Sequence, residues 1–135
     1  QFDEQIRVGI MIEIPAIALI ADLAAEEVDF ASIGSNDLTQ YLSAADRMNP
    51  EVAAYYKSDS TAMLRLLGFV FREFSKREKE ISVCGEMAGN PETAQLLVGL
   101  GARKLSMSSG NIAGVKAKLA ECTLQELTTL AEKKL

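Results

Sequence analysis

The chain has 135 residues, 48% hydrophobic and 24% charged, which is enough apolar side chain to bury one domain core and too much for a disordered segment. Fourteen basic residues against nineteen acidic ones leave a net charge of −5, and this balance disfavours binding to nucleic acid or to an anionic membrane surface. The most apolar stretch, Ile14 to Ala25, contains Pro15 and Asp22 and is too short for membrane insertion, and no signal-peptide pattern opens the chain.

The first residues, Gln1-Phe2-Asp3-Glu4, lack an initiator methionine, so the numbering is expected to start inside a longer polypeptide. Val8 to Ile14 reads as a buried first strand stopped by Pro15. Ile10, Ile12 and Ile14 alternate with Met11 and Glu13, which puts a carboxylate on the opposite face. A helix is predicted from Ala16, with Ile17, Ile20, Ala21, Ala24 and Val28 at helical spacing. The second strand is Phe30 to Ile33, followed by Gly34-Ser35-Asn36-Asp37 as a turn of capping residues and by a short helix from Leu38. Ala45 to Ser60 reads as a long loop with one helical turn, and a long loop inside a compact domain tends to be functional. Leu64, Leu67, Phe71 and Phe74 mark the buried stripe of a helix over Thr61 to Lys79. The third strand, Ile81 to Val83, leads into Cys84-Gly85-Glu86. Asn90-Pro91 then opens a helix that closes near Gly99 and Gly101. Lys104 to Met107 is predicted as a fourth strand, Ser108 to Asn111 as a turn into another helix, and Thr123 to Glu126 as the capping box of the last one.

Four strand–helix alternations imply an α/β domain over residues 1–135, built from four βα units with parallel strands. Two architectures satisfy this pattern, a small open doubly wound sheet and half of a (β/α)8 barrel. In both, chemistry belongs at the carboxyl ends of the strands.

The polar residues at those ends are the candidates. A carboxylate facing the interior, such as Glu13, needs a partner, either a basic side chain or a metal ion. Asp37 is either a helix cap or, with Glu13, one of two carboxylates at neighbouring strand ends; such a pair, completed by waters and ligand oxygens, suits magnesium. Asn36 and Asp37 begin a helix whose free amides favour an anion. Arg47 in the following loop can clamp the same phosphate, or it is a solvated surface arginine. Cys84 is either a small buried apolar residue or a thiol able to donate a proton, with the flanking Gly85 and Gly89 permitting close backbone approach. Cys84 and Cys122 are far apart with no CxxC spacing, so neither a zinc cluster nor a disulfide framework is indicated and a reducing cytosol is the expected setting.

Three stretches, "GIMIEIPA", "SIGSNDLTQYLSAADRMNP" and "ISVCGEMAGN", in this order, resemble the carboxyl-terminal part of enzyme I of the phosphoenolpyruvate-dependent sugar phosphotransferase system. The resemblance runs from about Val8 to the end of the chain. Pyruvate phosphate dikinase and phosphoenolpyruvate synthase share the first two motifs, whereas "CGEMAG" favours enzyme I. It implies the second half of a (β/α)8 barrel that binds phosphoenolpyruvate and Mg2+ in the cytoplasm. The phosphoryl group would pass to a histidine on another domain, then to a histidine-containing phosphocarrier protein, with release of pyruvate. By motif match the magnesium ligands would be Glu13 and Asp37, and Asn36, Asp37 and Arg47 would bind substrate. Cys84 would protonate the enolate carbon, and Glu86 would orient its loop. The stretch "YYKSDSTAM", Tyr55 to Met63, departs from the family pattern, which usually has proline and often histidine there. With no histidine and half a barrel, the chain is expected not to complete phosphotransfer alone and to associate through its open edges as a homo-oligomer. A non-catalytic phosphoenolpyruvate-sensing module and a fragment of a pyruvate phosphate dikinase-like enzyme are the alternatives.

Overall fold

The computed structural model describes residues 3–135. Its sheet has three parallel strands laid side by side in chain order, β1 (Gly9–Ile12), β2 (Phe30–Gly34) and β3 (Glu80–Cys84). The expected fourth strand shrinks to a single parallel bridge between Val83 and Leu105, in which the Val83 amide donates to Lys104 O at 3.0 Å and the Ser106 amide to Val83 O at 2.8 Å. Four full βα units are therefore corrected to three strands and a bridged segment. No strand pairs with the other edge of that segment among the described residues, so nothing there extends the ladder. β1 is also shorter than the Val8–Ile14 run, because Pro15 sits at the first helical position and draws residues 13–14 out of the sheet.

The helices are α1 (Pro15–Leu19), α2 (Ala21–Glu27), α3 (Ser35–Ser43), α4 (Thr61–Lys76), α5 (Glu86–Gly89), α6 (Pro91–Leu100), α7 (Ser109–Ala120) and α8 (Leu124–Glu132). The single helix expected after β1 is broken at Ile20, whose backbone leaves helical geometry. The buried positions are Ala18, Ala21, Ala24 and Ala25, while Ile20 is 45% exposed. Small side chains thus set the contact, and the break turns their stripe toward the core. α4 follows its predicted stripe and ends at Lys76, three residues short of the predicted Lys79. Leu64, Leu67, Val70 and Phe74 are fully buried, each contributing about 1.5–3 kcal/mol. The capping box opens α8 as predicted, and the Asn90 side chain accepts from the Glu92 and Thr93 amides ahead of α6.

The two sheet faces differ. Ile12, Ala31, Ile33 and Val83 point into a core shared with α1, α2 and α4. The other face carries three rows set by strand register: Gly9, Phe30 and Glu80; then Met11, Ser32 and Ser82; then Gly34 and Cys84, with Glu13 against Gly34. Among the described residues no helix covers this face, and Met11 is 45% exposed. In its middle row Ser82 Oγ donates to Ser32 Oγ at 3.0 Å. At the amino end of the sheet the Phe30 ring lies over Gly9 where any Cβ would collide with it, the Arg7 guanidinium is 5.3 Å from the ring centroid, and Glu80 pairs with Lys104 and with Arg7.

Candidate functional site

β2 runs into α3 without a loop. Gly34 is the N-cap and provides no side-chain cap bond, so Ser35, Asn36 and Asp37 form the first helical turn instead of the predicted capping turn. Their side chains are used across the sheet. Ser35 Oγ donates to Cys84 O at 2.6 Å, and Asn36 Oδ1 accepts from the Glu86 amide at 3.0 Å. These two bonds fasten the tip of β2 to the tip of β3. The close approach depends on Gly85, which has φ 98° and whose absent Cβ would lie 2.6 Å from Ser35 Oγ and 2.9 Å from Asn36 Oδ1. Gly89 similarly makes way for the Asn111 side chain, 2.6 Å from where its Cβ would be. Both glycines thus permit the close approach expected of them, and the groups that come close are protein side chains.

Beside these tips lies a cleft of about 370 Å³, lined by Asn36, Cys84, Gly85, Glu86, Ser106, Met107, Ser108 and Asn111. Ser106 is next to Cys84 because the Val83–Leu105 bridge sets the register. Cys84 is half-buried and its thiol donates to Ile33 O at 3.4 Å, a further bond between the tips of β3 and β2. Asn36 and Cys84, named from their motifs, thus share one cleft, with Glu86 at its edge. Ser108 is the N-cap of α7 yet its side chain makes no cap bond.

The other predicted residues sit to one side. Glu13 is half-buried, and its Oε2 is 3.1 Å from where a Gly34 Cβ would be. It joins none of the ion pairs found among the described residues, so of its two alternatives the basic partner is not seen there. Asp37 Oδ1 instead accepts from Arg47 Nη1 at 3.0 Å, an exposed pair that brings the α3–α4 loop against the first turn of α3. The Arg47 amide donates to Gln40 Oε1 at 3.3 Å. Among the described residues no group of three or more His, Cys, Asp or Glu side chains is arranged to hold a metal ion. A cation here would draw on two carboxylates, water and ligand oxygens, a donor set that magnesium accepts.

Tyr56 belongs to this region, and its motif gave no sign of it. Its hydroxyl donates to Asn36 O at 3.1 Å. Burial raises its pKa above the usual tyrosine value; the Arg47 charge opposes the rise, Glu86 and Asp37 add to it, and the Thr39 hydroxyl opposes it. The phenol is therefore within electrostatic reach of three of the charged groups around the cleft. No described helix is long and apolar enough to cross a membrane.

Residues 1–124 match the family described as "PEP-utilising enzyme, PEP-binding domain". The chain is 45% identical over 129 residues to the multiphosphoryl transfer protein 2 of Escherichia coli, covering 96% of this chain and 16% of that protein. It is 44% identical over 130 residues to the phosphoenolpyruvate-protein phosphotransferase of Bacillus subtilis, covering 96% of this chain and 23% of the relative. To the protein of the same name from Listeria monocytogenes it is 44% identical over 135 residues, 100% of this chain and 24% of the relative. The chain thus spans less than a quarter of the length of each of these relatives.

Proposed function

Because the chain belongs to the family of PEP-binding domains of PEP-utilising enzymes, we propose that it binds phosphoenolpyruvate across the carboxyl ends of β2 and β3 as part of a cytoplasmic phosphoenolpyruvate-protein phosphotransferase. The observation that carries this reading is the cleft in which Asn36 and the Cys84 thiol meet. The sequential strand order, with helices packed on one face, supports a place in the second half of a (β/α)8 barrel.

The substrate phosphate would lie at the first turn of α3, held by Asn36 and by Arg47. Glu13 and Asp37 would hold Mg2+, which when bound neutralises charge on the phosphoryl oxygens. The half-buried Glu13, in no ion pair among the described residues, suits that role, and among them Asp37 pairs with an exposed arginine that a phosphate can attract away. The bond between phosphorus and the enol oxygen breaks as a histidine nitrogen attacks phosphorus. The electron pair left on the enolate then takes a proton from Cys84 Sγ at its terminal carbon, and pyruvate results. That histidine lies outside this chain, which has none, so the phosphoryl group moves to another domain and onward to a phosphocarrier protein.

Calorimetric titration of the chain with phosphoenolpyruvate, with and without Mg2+, tests the reading. Glu13→Ala is expected to weaken Mg2+-dependent binding by at least about tenfold, whereas Cys84→Ala leaves binding nearly intact. Within the complete enzyme Cys84→Ala abolishes pyruvate release; undiminished release would overturn Cys84 as the proton donor, and no release by the unaltered enzyme would leave the non-catalytic sensing module as the better account. Equal binding by the wild-type and Glu13→Ala proteins would overturn the metal assignment.

A further inference from the structure

The α3–α4 loop begins at Ala44, whose backbone is left-handed at φ 50°, and contains only a short 3-10 turn, Ala53–Tyr55, before Ser60 caps α4. Most of its hydrogen bonds are internal. The Met48 amide donates to Asp46 Oδ1, Glu51 to Asn49 Oδ1, Val52 to Asn49 O and Tyr55 to Val52 O. Such bonds shape a loop without attaching it to anything.

Its attachments to the domain are at the ends. The first end is fixed to α3, where the Ala45 amide donates to Gln40 O, the Arg47 amide to Gln40 Oε1, and the Arg47 guanidinium pairs with Asp37. At the second end, apart from a long ion pair between Asp59 and Lys134 at 3.7 Å, the attachment among the described residues is Tyr56. Its half-buried side chain reaches the carbonyl of Asn36, in the same helical turn that carries Asp37. Both ends of the loop therefore reach the first turn of α3, the first through Arg47 and Asp37 and the second through Tyr56 and Asn36. We propose that Tyr56 is a positioning residue, its hydroxyl clipping the α3–α4 loop onto the first turn of α3 so that Arg47 stays beside the strand tips.

The clip has a chemical consequence. When Asp37 turns to another partner, Arg47 loses its side-chain bond to the domain. The Tyr56 bond remains, so the guanidinium stays within reach of an anion at the helix start without having to be ordered again. The consequence for ligand rests on the phosphate role given to Arg47 above, whereas the clip itself does not.

Tyr56→Phe removes the hydroxyl and keeps the ring, so the fold is preserved while the bond is lost. Amide hydrogen exchange without ligand decides the clip. Exchange over residues 45–58 is expected to quicken about fivefold in Tyr56→Phe, the effect of one hydrogen bond, with α4 unchanged. Unchanged exchange in the loop would overturn the clip. Titrations then decide positioning: Tyr56→Phe lowers phosphoenolpyruvate affinity severalfold and leaves affinity for Mg2+ alone unaltered, a split that general destabilisation would not produce. If Arg47→Ala weakens phosphoenolpyruvate binding but Tyr56→Phe does not, the positioning role is overturned and the site reading stands. If wild-type and Arg47→Ala proteins bind phosphoenolpyruvate equally, it is the phosphate role of Arg47 that fails, and with it the positioning role; the exchange result still decides whether the loop is clipped.

Discussion

Gly85 joins two demands that no other residue meets together. Its φ of 98° is costly for a side chain, and the space beside it is filled by Ser35 Oγ and Asn36 Oδ1. Gly85→Ala is expected to destabilise the protein by about 2–4 kcal/mol in urea denaturation, and to speed modification of Cys84 by a thiol reagent as the Ser35 bond to its carbonyl is lost. A stability equal to wild type would mean that the two strand tips are not fastened as described. The motifs identified Asn36 and Cys84 because strand-end positions are visible as the end of an apolar run. Tyr56 was not legible, since its partner is a backbone carbonyl twenty residues away in sequence, and neither residue type nor spacing encodes such a contact. The role of Ser35 was hidden for the same reason, its hydroxyl being read as a local cap when it reaches across to another strand.

Among the elements, α4 was the most legible and α1 the least. α4 has large apolar residues at three- and four-residue intervals, a pattern that survives any change in its neighbours. The break between α1 and α2 depends on which residues the sheet can accept at close range, and that is a property of packing. α4 also contains its own charge centre. Glu73 is buried at 7% exposure and bonds Lys76 at 2.8 Å and Arg77 at 3.2 Å, and Arg77 in turn holds Glu26 of α2 at 2.8 Å. The Lys76 hydrogen bond holds the Glu73 carboxyl below the ordinary glutamate range; burial works against this, and Arg77 reinforces it. A lowered folded-state value means that this stabilisation is complete above the unfolded glutamate value and is lost as pH falls through the folded one. Glu73→Gln should therefore lower the melting temperature at neutral pH and flatten its decline below about pH 4.5. Parallel melting curves for the two proteins from neutral pH down to pH 3 would refute this.

For the whole molecule, the decisive fact is that the described helices cover the sheet on one face only. The fold class was legible from the alternation of strands and helices, but the shortness of the fourth strand was not, because a strand is completed by its neighbours as much as by its own residues. Its unpaired edges and the open face lead us to expect self-association. Light scattering should give an apparent mass that rises with protein concentration, and a constant monomer mass at high concentration would count against it. The open face also has a direction. Phe30 and Arg7 close its amino end over Gly9, whereas the carboxyl end is lined with serines, amides and a thiol. A polar solute on this face therefore finds hydrogen-bonding groups at its Cys84 end and an aromatic ring flanked by a guanidinium at the other.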